Sequence, residues 1–166
     1  SAGLSHQNLK KASEKLIKKE SPAQTISISQ ADSSALSIAP FVHLHNHSQF
    51  SVLQATSRVS QLVTATAEYK MPAVALTDHA NLMGAFHFIK AINTHNKALK
   101  EGEQTIKPIV GCEFYVCDDH TDKSRRDDGY QIVFLAKNKK GYHNLVKMTS
   151  IAYVNGFYYV PRIDRK

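Results

Sequence analysis

The sequence predicts an α/β fold with a largely parallel sheet or barrel. Two observations carry that expectation. Apolar runs of strand length alternate three times with longer helical patterns. Pro72 follows the first helical pattern directly and separates it from the next apolar run. No internal repeat is evident. Parallel α/β folds usually place their chemistry at the C-terminal ends of strands, so polar residues there carry the functional question.

The folded unit is expected to begin at Phe41. All 14 Phe and Tyr lie at or after that position, while residues 1–40 hold nine serines and five lysines. A stretch without large apolar anchors cannot bury enough surface to offset its ordering entropy. Residues 1–40 are therefore expected to be a linker, with Leu9, Leu16 and Ile17 allowing a short amphipathic helix.

From Phe41 the elements follow in order. FVHLHNHS alternates and predicts a strand. SRVSQLVTATAEYK predicts a helix capped by Thr56 or Ser57, with Val59, Leu62, Val63 and Ala67 on one face. AVALTDH predicts a short buried strand. NLMGAFHFIKAINTHNKALK predicts a second helix with Met83, Phe86, Ile89 and Ile92 on one face. KPIVGCEFYVC is β-rich, DDHTDKSRRDDG is a charged loop, and YQIVFLAKN is another strand. KKGYHNLVKMTSIAYVNG predicts a third helix through Leu145, Met148 and Ala152, ending at Gly156; FYYVPRID opens a further element.

Composition narrows the function classes. The chain has 166 residues, 42% hydrophobic and 21% charged, which is about one globular domain's worth and too little for a whole polymerase or transporter. Two cysteines cannot make a disulfide framework and point to a reducing compartment. No run approaches the roughly 18 apolar residues of a membrane span, and SAGLSHQNLKK lacks a signal-peptide core. A formal charge of +7 permits an acidic partner such as nucleic acid.

Nine histidines are the unusual count. His43, His45 and His47 are spaced two apart, and on a strand such residues share a face. His43 and His45 can thus aim two imidazoles into one volume, as a metal site requires. Thr77-Asp78-His79 follows the apolar run AVAL, where a parallel strand would end. His79 is expected to be a ligand, with Asp78 orienting it or capping the next helix. Glu113 sits inside IVGCEFYV, where a lone carboxylate needs a partner or a metal. Cys112 and Cys117 lack metal-site spacing and are expected to pack. His87, His95, His120 and His143 are expected to be solvated or capping. The charged loop, including Asp118, Asp119, Asp122, Asp127 and Asp128, is expected to be a solvated one.

Taken together, FVHLHNHSQFSVLQ, MPAVALTDHANLMGAFHF, IKPIVGCEFYV and VFLAKNKKGYHNLVKMTSIAYVNGFYYVPRID resemble the polymerase-and-histidinol-phosphatase (PHP) family. The strings AKN..GY.NL and GFYY.PRID are similar to its branch at the N-terminus of bacterial DNA polymerase III alpha subunits. The resemblance implies a distorted β/α barrel, incomplete within 41–166, with metals at the strand ends. It implies that His43, His45, His79 and Glu113 match metal ligands. It also implies an acidic ligand where Gln54 stands and a histidine where Gln131 stands, with later ligands beyond Lys166. An amide carries no charge and is a poorer zinc donor.

The resemblance therefore implies a degenerate site holding at most one zinc ion, and a mainly structural domain. The alternative it leaves open is an active metal-dependent 3′–5′ exonuclease or phosphoesterase. For the full protein it implies template-directed DNA synthesis in the cytoplasm, from deoxynucleoside triphosphates with magnesium. The implied partners are DNA, a sliding clamp, and a proofreading subunit or a fused exonuclease, with no membrane. GLSHQNLKKASEKL resembles a connector that follows such a fused exonuclease.

Overall fold

A computed structural model describes residues 40–165, and the linker expected over 1–40 lies outside them apart from Pro40. Its elements are α1 (Val59–Glu68), β1 (Ala73–Leu76), α2 (Ala85–Ala98), β2 (Lys107–Val116), β3 (Tyr130–Leu135), α3 (Lys139–Val154) and β4 (Arg162–Ile163). Among the described residues no helix is long and apolar enough to cross a membrane.

β2 is the axis of the sheet. Its first half pairs in parallel with β1, from Ala73 opposite Lys107 to Leu76 opposite Val110. Its second half pairs antiparallel with β3, from Gly111 opposite Leu135 to Val116 opposite Tyr130. β4 pairs in parallel with β2 through Tyr115–Arg162 and Val116–Ile163. The result is a mixed sheet, open among the described residues. The expectation of a largely parallel sheet is corrected here. A parallel partner needs a crossover element. The segment between β2 and β3 holds no helix, so the chain turns back antiparallel.

Two apolar clusters flank β2. Val74 and Leu76 pack with Val59 and Val63 of α1, Phe88 and Ile92 of α2, and Ile106. Cys112, Phe114 and Ile163 pack with Leu145 and Ala152 of α3. In α2 the buried stripe is Ala85, Phe88 and Ile92, whereas Phe86 and Met83 are exposed. The helix begins at Ala85, so Met83 lies before it, and Phe86 falls about a quarter-turn off the stripe. The cap of α1 also differs from the expected Thr56 or Ser57. Arg58 occupies that position, with its N–H donated to Gln61 Oε1.

The histidine-bearing segment 41–48 lies beside β1 without forming a regular strand. The Ala75 N–H donates to the His43 carbonyl and the Thr77 N–H to the Asn46 carbonyl. Three residues on one side thus span two on the other, as in a bulge. Asn46 fixes this offset. Its side-chain amide donates to the Ala75 and His43 carbonyls, and its N–H donates to Thr77 Oγ1. The bulge breaks the simple alternation expected of His43, His45 and His47.

Residues 117–129 are held by Arg162, which is fully buried. Its guanidinium donates to the carbonyls of Gly156, His120, Asp122 and Asp127. A Cβ on Gly156 would overlap the Arg162 carbonyl, so the α3–β4 turn needs glycine there.

Candidate metal centre

The register of β1 against β2 continues past Leu76. His79 bridges Glu113 in parallel, the Ala80 N–H donates to the Glu113 carbonyl at 2.7 Å, and the Glu113 N–H donates to the Asp78 carbonyl. Two widely separated motifs thus become neighbours where β1 gives out. The bulged segment brings His45 and His47 to the same place. Three imidazoles surround one oxygen, Glu113 Oε2: His47 Nε2 at 2.7 Å, His45 Nε2 at 3.2 Å and His79 Nδ1 at 3.4 Å. Glu113 and His79 are almost fully buried, while the His45 side chain is 54% exposed and forms the open side.

The geometry is not that of a hydrogen-bonded cluster. Only the His45 pair is aligned as a hydrogen bond. His47 Nε2 and both ring nitrogens of His79 are buried with no hydrogen-bond partner. Burial holds His79 below the ordinary imidazole range; Glu113 opposes this and His47 and His45 add to it. A neutral imidazole presents the lone pair that a metal needs. One ligand atom each from His45, His47 and Glu113 lies within 4.8 Å of the others. Imidazole nitrogen with a carboxylate oxygen is a donor set that suits zinc, whose tetrahedral ligands sit about 3.3 Å apart. The residues fit a single such ion.

Asp78 does not face this volume. It accepts from the Ser48 N–H at 2.6 Å, from Ser48 Oγ at 3.0 and 2.8 Å, and from Ser51 Oγ at 2.8 Å. Ser51 Oγ in turn accepts from the His79 N–H. The buried carboxylate thus braces the loop after His47 against the strand end that carries His79. Gly84 packs so closely that an added Cβ would lie 2.6 Å from Asp78 Oδ2.

The structure brings together His45, His79 and Glu113 of the expected ligands and leaves His43 outside. His43 is exposed, with its ring against the edge of Phe41 at 4.7 Å. His47 takes the place expected for His43. The three-histidine spacing was the available signal, but it does not choose among pairs once the strand is bulged. Gln54 lines a cavity of about 210 Å³ that also holds His79 and Tyr115. Gln131 on β3 lies opposite Tyr115, whose ring centroid is 4.5 Å from that of His79. Both glutamines are exposed.

The cysteines are both buried and free. Burial pushes the Cys112 thiol up to about 12, so it is no thiolate donor. A second group, Asp119, His120 and Asp164, also has ligand-like spacing. There His120 Nδ1 is 2.6 Å from Asp164 Oδ2 and the His120 N–H donates to the same oxygen, a clamp between the loop and β4.

A bulged histidine pair, a strand-end histidine and a buried glutamate, placed on this mixed sheet, define a metal-binding type of α/β domain. The chain belongs to the PHP domain family, whose match covers residues 43–166. It is 42% identical over 129 residues to the DNA polymerase III subunit alpha of Chlamydia trachomatis and 43% identical over 129 residues to that of Borreliella burgdorferi. It is 40% identical over 133 residues to the same subunit of Aquifex aeolicus. Each match takes in 75% of this chain, and the chain spans about a tenth of the length of these curated relatives.

Proposed function

We propose that this chain is the PHP portion of a replicative DNA polymerase III alpha subunit, and that its centre holds one divalent ion in a mainly structural role. The observation that carries the metal reading is the set of buried imidazole nitrogens without hydrogen bonds around Glu113 Oε2. His45, His47, His79 and Glu113 would hold the ion, with zinc the best fit to the donors. A bound ion supplies a fixed positive charge that offsets Glu113 and locks the ring orientations. Asp78, through Ser48 and Ser51, keeps the two ligand-bearing segments at a fixed separation. Gln54 and Gln131 flank the centre with neutral amides, so the charge needed to collect several cations is missing. The fold is taken as part of a distorted β/α barrel, completed by sequence outside 41–166.

For the whole protein the proposed activity is template-directed DNA synthesis in the cytoplasm, from deoxynucleoside triphosphates with magnesium, at a site elsewhere. DNA, a sliding clamp and a proofreading partner or fused exonuclease are the proposed partners. The support is the likeness to the alpha subunits.

Elemental analysis of the chain, with a 3′-end-labelled oligonucleotide assay, tests the local reading. We expect about one zinc per chain, lost in Glu113→Gln, and no metal-dependent release of 3′ nucleotides. Several tightly bound ions with nuclease activity abolished by His47→Ala would establish the active alternative. Primer extension by the full-length protein tests the wider reading, and its absence would remove it.

A further inference from the structure

We propose that the aromatic ridge formed by the end of α3 and the turn into β4 is a binding surface for single-stranded nucleic acid, whose end reaches the cavity beside His79. Four residues between 153 and 159 are aromatic. Tyr153 and Phe157 stack at 6.3 Å with their planes 20° apart, and each is 48% exposed. Tyr158 and Tyr159 meet edge to face at 4.7 Å. Burial does not account for these rings, because faces of three of them are open to solvent.

Tyr159 is the most informative of the four. It has φ 62°, the left-handed region that a bulky residue occupies only when its surroundings impose it. The turn is closed by the Tyr158 N–H donating to the Val160 carbonyl at 3.1 Å. The strained residue is 62% exposed, so the backbone displays the ring instead of packing it. Arg126 lies over that ring at 4.9 Å, and buried Arg162 lies over Tyr158 at 5.6 Å. Rings backed by guanidinium groups make a rigid platform. Nucleobases stack on such platforms without sequence preference, and arginine adds cation–π attraction.

Two further observations select this occupant. Arg125, Arg126 and Arg165 line the adjoining cleft of about 520 Å³, beside Asp118 and Asp127, and the chain as a whole carries +7. Arg126 is itself paired with Asp128, so its contribution is the stacked plane more than a free charge. The ridge is also continuous with the centre. Tyr153, Val160 and Pro161 form one side of the cavity whose other side includes Tyr115, His79 and Gln54. A strand lying on the ridge therefore has its terminal nucleotide directed at that cavity. The inference deepens the reading of the PHP centre by naming what its open cavity faces, and it requires no hydrolysis there.

Fluorescence anisotropy of a labelled oligothymidylate, titrated with the full chain at low salt and in EDTA, tests this. Tyr159→Ala and Tyr153→Ala are each expected to weaken binding about fivefold or more, while Phe at either position keeps it within about twofold. Tyr69→Ala, at an exposed ring beyond α1, is expected to change nothing. Absence of binding would overturn the proposal. So would alanine variants that bind normally, an equal loss in Tyr69→Ala, or a duplex of the same length bound as tightly as the single strand. Circular dichroism confirms that each variant is folded. Because EDTA is present, zinc binding and strand binding fail separately: a chain without zinc that holds the strand removes only the metal reading. A chain with zinc that ignores the strand removes only this one.

Discussion

Two buried charges in this molecule are treated in opposite ways. Arg162 is wholly enclosed and aims its donors at four carbonyl oxygens. Glu113 is just as enclosed, yet it is ringed by imidazole nitrogens, of which only that of His45 is aligned as a hydrogen bond. Burying a charge is costly unless its bonding capacity is filled. The Arg162 region meets that requirement with protein atoms and is architecture. The Glu113 region leaves buried nitrogen atoms unmatched, which is the signature of a place built for a ligand. Asp78 lies close to the second region but resembles the first, since donors from Ser48 and Ser51 fill its oxygens.

The contrast predicts different responses to substitution, and Arg162 should give the largest. Arg162→Ala removes a fully buried side chain and strands carbonyls of the loop and of the α3–β4 turn. We expect a loss of about 3–5 kcal/mol in urea denaturation, with loop 117–129 becoming protease-sensitive. A loss below about 1 kcal/mol would mean that those carbonyls are readily hydrated and that the anchor is not architectural.

Asp78→Ala should rank next. It leaves the Ser48 N–H and two hydroxyls without an acceptor, with an expected cost of about 2–3 kcal/mol. Because those groups space His47 from His79, zinc affinity should also fall, by about tenfold, as is usual when a residue supporting ligands is removed. Stability loss with unchanged zinc affinity, measured by calorimetry on the folded fraction, would place Asp78 in the architecture alone.

The sequence is legible in these regions to different degrees, for physical reasons. The Glu113–His79 pairing was accessible: an acid inside an apolar run and a histidine after another are both anomalies, and parallel strands bring such points together. The antiparallel β3 was not, because alternation of elements does not report whether a loop contains a crossover. Arg162 carried no signal, since a lone arginine near a turn looks solvated until four carbonyls are seen around it. The choice among His43, His45 and His47 depended on the bulge at Asn46. That bulge is set by hydrogen bonds to β1, some thirty residues downstream. The buried face of α2 was missed by one position, because Phe86 is apolar but lies off the stripe.

Glu113→Gln separates the two kinds of burial more finely. The amide keeps the shape and removes a charge whose bonding is incomplete, so stability of the metal-free chain should change by less than about 1 kcal/mol. Zinc affinity should nevertheless fall at least tenfold, or about 1.4 kcal/mol. A stability loss as large as that of Arg162→Ala would show Glu113 to be held as architecture, and the contrast would collapse.

The smallest expected effect tests the bulge itself. His43→Ala removes an exposed ring outside the cluster and should alter stability by no more than about 0.5 kcal/mol and zinc affinity by less than about twofold. His47→Ala removes a ligand and should lower affinity at least tenfold. The two histidines are four residues apart on one segment, so composition and local charge change almost identically in the two variants. Only the bulge held by Asn46 distinguishes them. If His43→Ala proves the more damaging, the segment must pair with β1 without the extra residue in the metal-bound chain. Asn46→Ala should then leave zinc affinity unchanged, where the bulged arrangement requires it to fall.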